Sequence, residues 1–172
     1  MDNLVGELLG TMFLIILGDG VVANVVLAKN KGESSGWIVI TTGWAMAVMV
    51  GVFVAISAGA PQADINPAVT FAKWIALGTY TASQALATMA AELVGAFIGA
   101  IIVWLAYFKH FEPTEDPGLK LAVFSTGPAI PNTVWNFITE LIGTFVLVAG
   151  VGAIFSGATA GAPPRRCSMP SA

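Results

Sequence analysis

The sequence predicts an all-α, polytopic membrane bundle, and three observations carry that prediction. Apolar residues make up 56% of the chain and charged residues 10%, with a mean hydropathy of +0.83. A soluble domain carries roughly 25% charged residues, so this chain has too little polar surface to face water on every side. Four apolar stretches, near 4–28, 37–58, 83–108 and 133–156, each match the roughly 20 residues that a helix needs to cross a bilayer. The first and last of them also open alike, which points to an internal repeat.

Each span follows from its residues. The first is preceded by Asp2 and contains Glu7 where a secretory leader would be basic, and it exceeds a signal-peptide core, so it is expected to stay as a span. The four stretches are rich in Leu, Ile, Val, Ala, Phe and Gly, and turn or polar residues connect them at 29–36, 60–64 and 111–131. In hydrocarbon every backbone amide must be satisfied within its own segment, so these stretches are predicted helices. Gly6 and Gly10, and again Gly95 and Gly99, place small residues four apart, which lets neighbouring helices approach closely.

Between the second and third spans lies a shorter apolar piece, Asn66 to Gly78. Asn suits the N-cap, Pro the first helical position and Gly the C-terminal end, so a helix of about a dozen residues is expected. Such a helix is about 18 Å long, half a bilayer. Among spanning neighbours it is predicted to be re-entrant.

The repeat pairs Glu7-Leu8-Leu9-Gly10-Thr11-Met12-Phe13-Leu14 with Glu140-Leu141-Ile142-Gly143-Thr144-Phe145-Val146-Leu147, five of eight positions being identical at an offset of 133. Three spans separate the two starts, so the copies enter from opposite faces, as in an inverted-topology repeat with its site at the midplane. The second copy is expected to be incomplete. A membrane domain over 1–157 is expected to be followed by a disordered tail, 158–172, rich in Gly and Pro with Arg165 and Arg166.

Within the spans the charges are all acidic: Glu7, Asp19, Glu92 and Glu140. A carboxylate in hydrocarbon must face water, accept hydrogen bonds or be protonated. Glu7 and Glu140, at equivalent repeat positions, are expected to accept hydrogen bonds from backbone amides of re-entrant loops. Proximity to the membrane surface is the alternative for Glu7 and for Glu92, evenly balanced for Glu92, and Asp19 has no assigned role. Trp37, Trp104 and Trp135 suit an interfacial belt, whereas Trp44 lies deeper. Met12, Met46, Met49 and Met89 are expected to pack. The lone His110 is expected to be solvated or interfacial. Cys167 has no partner for a disulfide or a metal site, so no metal and no cofactor are expected. Scattered Lys and Arg at net charge −3 give no case for nucleic acid, and no nucleophile–base pair suggests an enzyme.

The Asn66-Pro67-Ala68 half-helix, the Glu-x-x-Gly-Thr openings and Gly43-Trp44-Ala45 together resemble the major intrinsic protein (aquaporin) family, in particular bacterial glycerol uptake facilitators, over about residues 3–157. The resemblance implies six spans and two half-helices around one pore per subunit, four subunits, and a plasma-membrane location. It implies pore-lining roles for Asn66, Pro67 and Ala68. Trp44 matches the outer filter tryptophan, with Met46 as the competing position. Two departures follow. The usual Ser-Gly-Ala-His before the motif is Ala58-Gly59-Ala60-Pro61 here, with Asp64 added, and the second motif with its Arg and Phe is absent. The expected fold is therefore an incomplete aquaporin-like inverted repeat of four spanning helices and one re-entrant half-helix. Its expected activity is passive diffusion of glycerol, other small neutral solutes and water across the lipid bilayer, impaired by the missing half-helix, with a homotetramer forming if the fold is completed. An ion-coupled transporter fragment and a non-conducting partner subunit are the alternatives. Basic residues divide three inside against four outside, which leaves orientation open.

Overall fold

The structure, a computed structural model, describes residues 2–154, and every regular element among them is a helix. The tail expected at 158–172 lies outside the described residues. The chain divides into two units at residues 130 and 131.

The first unit holds α1 (Asp2–Val26), α2 (Trp37–Ser57), α3 (Pro67–Leu77), α4 (Ala82–Ala106), α5 (Phe108–Phe111) and α6 (Pro117–Ala122). Helix α1 packs against both α2 and α4, and α3 lies on α4. Glycines set these approaches. A Cβ on Gly95 would collide with the Leu8 carbonyl oxygen, and one on Gly10 would stand 2.7 Å from the Ala55 Cβ. Only a residue without a side chain lets the helices come this close, the expected consequence of small residues four apart.

The buried residues of α2 and α4 form stripes at helical spacing: Ile40, Ala47, Gly51 and Ala55 on α2, and Ala85, Thr88, Glu92, Gly95, Gly99 and Val103 on α4. The opposite faces carry exposed apolar residues such as Phe53, Leu93 and Phe97, as expected where the surrounding solvent is lipid.

Span ends differ from the sequence expectation by a few residues. Helix α1 stops at Val26 because the Asn30 amide reaches back to the Ala23 and Leu27 carbonyls at 3.1 and 3.2 Å, supplying donors that a helix end lacks. The connection expected over 111–131 contains α6, which opens on Asp116, whose Oδ1 accepts from Gly118 N at 2.7 Å. His110 is half-buried. Its Nδ1 lies 3.1 Å from the Ala28 carbonyl oxygen, and Thr114 Oγ1 accepts from Ala28 N at 2.9 Å. The segment after α4 thus ties down the end of α1.

The second unit, as described, is the 22-residue helix α7 (Thr133–Ile154). Helices α1, α2, α4 and α7 are long and apolar enough to cross a membrane, and α3 is the shorter apolar helix.

Candidate functional site

Helix α3 is built by its ends. Asn66, in extended conformation, is the N-cap, and its Oδ1 accepts from Ala68 N at 2.9 Å with Pro67 in the first turn. Because Oδ1 turns back onto the helix, the other end of the planar amide, Nδ2, is directed away from it. At the far end Gly78 takes the left-handed conformation (φ 61). Gly78 N and Thr79 N donate to Trp74 O and Lys73 O, both at 3.2 Å, a pairing that stops the helix after one clean final turn. Eleven residues give a helix about 17 Å long.

The loop leading into α3 is strained. Ala63 and Ile65 have φ of 43 and 44, values that disfavour any side chain and a β-branched one most. Each such residue costs on the order of 1–3 kcal/mol unless its surroundings fix it. Glu7 of α1 does the fixing. Its Oε1 accepts from Asp64 N at 3.0 Å and its Oε2 from Ile65 N at 2.8 Å, with no part of the side chain exposed. Both carboxylate oxygens are thereby satisfied by backbone, and two loop amides that no helix or strand could serve are satisfied in turn.

Three side chains that the sequence reading left unassigned complete the cradle. Lys73, one helical turn after Thr70 on α3, forms a salt bridge with Asp64 Oδ1 and donates to Gln62 O at 3.0 Å and Gln62 Oε1 at 3.3 Å. Tyr80 donates to Asp64 Oδ2 at 2.7 Å. Burial, then this hydrogen bond to Asp64, pushes the Tyr80 phenol above its ordinary value of 10.0. Thr70 Oγ1 lies 2.9 Å from Asp64 Oδ2 and 2.8 Å from Glu92 Oε1, and Glu92 Oε1 also accepts from Asn66 N at 3.2 Å. Glu92 is wholly buried, so its carboxyl faces the cradle rather than solvent. Asp64, the residue added two positions before Asn66, is the hub that joins α3, Tyr80 and, through Lys73, the loop backbone.

The signal for Glu92 was present in the spacing. It stands three and seven residues before Gly95 and Gly99, on the same buried stripe of α4. Thr70 and Lys73 share a face of α3 by their i, i+3 spacing. Their partner Asp64 could not be located from sequence, because its position depends on the strained loop.

Trp44 is half-buried and continues the α2 stripe between Ile40 and Ala47. Its ring lies over Gly18, where a Cβ would meet Cζ3 at 2.5 Å. Together with Val22, Val26, Ile40, Ser125 and Thr126 it lines a cavity of about 380 Å³, which Asn66 does not line. Met46 is 53% exposed and lies outside this lining. A second cavity, of about 410 Å³, is lined by Asn3, Gln62, Thr79, Tyr80, Ser83 and Gln84 among others. Asp19 is buried. Glu140 is exposed on α7 in the second unit. No group of three or more His, Cys, Asp or Glu side chains among the described residues could hold a metal ion.

Comparison with known proteins places this architecture. The major intrinsic protein family matches residues 1–165, and the chain belongs to that family. It is 51% identical over 151 residues to a probable glycerol uptake facilitator protein of Thermotoga maritima, covering 88% of this chain and 63% of that protein. It is 46% identical over 163 residues to glycerol uptake facilitator protein 3 of Lactiplantibacillus plantarum, covering 94% and 67%. It is 52% identical over 154 residues to the glycerol uptake facilitator protein of Streptococcus pneumoniae strain R6, covering 90% and 64%. The chain thus spans 63 to 67% of the length of these relatives. No solved structure matches it.

Proposed function

We propose that this chain is a subunit of a passive channel for glycerol and other small neutral solutes, with water as a further permeant, in the plasma membrane. The observation that carries the reading is the Asn66-capped half-helix α3, packed on α4, a helix long enough to span a membrane. The N-terminus of a helix carries a partial positive charge and unpaired N–H groups. Aimed into a pore, that end repels cations and protons, while Asn66 Nδ2 donates to a hydroxyl oxygen. Neutral polar solutes pass because they need no compensating charge. Asn66, Pro67 and Ala68 line the path in this reading, and Trp44 lines the outer constriction. Glu7 holds the first re-entrant loop, and Glu140, its repeat equivalent, holds a second one in a chain of the relatives' length. Four such subunits associate in the bilayer.

Osmotic-shock light scattering on proteoliposomes tests the reading. Liposomes holding the protein should re-swell in a glycerol gradient faster than protein-free ones, both for this chain and for a version extended to the relatives' length. Asn66→Asp, which keeps the helix cap but replaces the donor with an anion, should abolish that difference. No glycerol flux from the extended version would overturn the proposal. Saturable uptake driven by an ion gradient and dependent on Asp19 or Glu92 would mark a coupled transporter instead.

A further inference from the structure

Two features of the cradle conflict if every buried carboxyl is ionised. Thr70 has a single hydroxyl proton, yet Oγ1 sits within hydrogen-bond distance of two carboxyl oxygens, Asp64 Oδ2 and Glu92 Oε1. Glu92 Oε2, fully buried, has no hydrogen-bond partner among the described residues. A bare half-carboxylate in that position is among the costliest groups a membrane protein can bury.

The charged surroundings decide where an extra proton belongs. Glu92, on α4, faces Glu7 from α1, Asp64 from the loop and Thr70 from α3. Glu7 has both oxygens occupied by backbone N–H donors, which suits the anion. Asp64 has the Lys73 ammonium on Oδ1 and the Tyr80 hydroxyl on Oδ2, so it too is served as the anion. The Lys73 ammonium is directed at Gln62 and Asp64. Glu92 forms no salt bridge among the described residues, and its backbone donor is Asn66 N.

We propose that Glu92 is a buried proton-binding site: it holds a proton on Oε1 and docks the half-helix as a neutral carboxylic acid, donating to Thr70 Oγ1 while Thr70 donates to Asp64 Oδ2. Both anomalies are then resolved. Thr70 accepts once and donates once, and Glu92 Oε2 becomes the carbonyl oxygen of a neutral acid, far cheaper to leave unpaired than half of an anion. The net charge of the cluster falls from −2, for three carboxylates against one ammonium, to −1. The proton is a structural element that joins α4 to α3.

Infrared spectroscopy on the purified full chain in detergent at neutral pH tests this directly. The C=O stretch of a protonated glutamate side chain should be present, identified by its downshift on labelling with carbon-13 glutamate. Measured in a Glu140→Gln background, which removes the exposed carboxyl of α7, the band should vanish in Glu92→Gln, which has no acid group, and should survive in Glu7→Gln. In Thr70→Val, which keeps every carboxyl group, the band should shift because the O–H has lost its acceptor. Absence of a glutamate-labelled acid band in the wild-type chain overturns the proposal, as does a band that persists in Glu92→Gln or one unmoved by Thr70→Val. None of these readings depends on whether the chain conducts solute.

Discussion

Glu7 Oε2 accepts a 2.8 Å hydrogen bond from the backbone N–H of Ile65, 58 residues further along the chain, and Ile65 is one of two residues held at a left-handed φ beside it. The carboxylate compensates for the strain of a backbone turn that aims Asn66 and the start of α3. Glu7→Gln replaces one acceptor oxygen with an amide donor facing another donor. It should destabilise the protein by on the order of 1–3 kcal/mol, measured as a drop in thermal unfolding temperature in detergent. An unchanged transition would remove Glu7 from this role. In a chain of the relatives' length, Glu140→Gln should show a loss of the same order.

Gly95 has no room for a side chain. An alanine Cβ there would press on the Leu8 carbonyl oxygen, a backbone atom that cannot swing aside. Gly95→Ala should force α1 and α4 apart and destabilise by about 1–3 kcal/mol. Gly20→Ala is the control. A methyl group on Gly20 would have nothing within 4 Å, and exchanging a helical glycine for alanine should stabilise by up to about 1 kcal/mol. Equal effects from the two substitutions would refute the packing account.

The Asp64–Lys73 pair is buried, the side chains being 0% and 12% exposed. Removing one partner strands the other, so Asp64→Asn or Lys73→Met alone should cost on the order of 3–5 kcal/mol. The double variant should recover much of that loss, because neither member of the pair is left stranded without the other. A double-mutant cycle on unfolding temperature measures the coupling, and strictly additive losses would show that the two charges are independent.

Tyr80 and Tyr107 are the two tyrosines of the chain, and burial raises both above the ordinary value of 10.0. Spectrophotometric titration should show little tyrosinate until the fold is lost. The sign follows from the raised folded value: stability from keeping these phenols neutral is fully present below about pH 10 and declines as pH rises beyond it. Ionisation of both tyrosines at the free value in folded protein would contradict the burial described for them.

Trp44 and Met46 give opposite expectations. Trp44 lines the cavity between α1, α2 and the segment after α6, and Met46 is exposed away from it. In a chain of the relatives' length, Trp44→His should lower the glycerol-to-water permeability ratio, since the polyol loses an apolar surface for its carbon backbone. Met46→His should leave the ratio unchanged. The reverse pattern would transfer the constriction to Met46.

The sequence by itself determined the solvent, the helices and the half-helix. Those features are local: twenty apolar residues, an Asn-Pro start and a Gly stop are legible one segment at a time. Glu7 was legible for a different reason, since its repeat partner Glu140 marked it and accepting hydrogen bonds is one of the few ways to keep a carboxylate in hydrocarbon. Tertiary structure alone decided the rest of the cradle. Asp64 stood out in the sequence only as an added residue ahead of Asn66, and the left-handed φ values at Ala63 and Ile65 bring it to Lys73, Tyr80 and Thr70. Glu92 hid on a stripe of small residues, because helical spacing shows which face is buried but not which loop will lie against it. Hydrogen-bond partners tens of residues apart are set by how closely helices approach, and that distance was controlled by glycines whose effect appears only once two backbones are in contact.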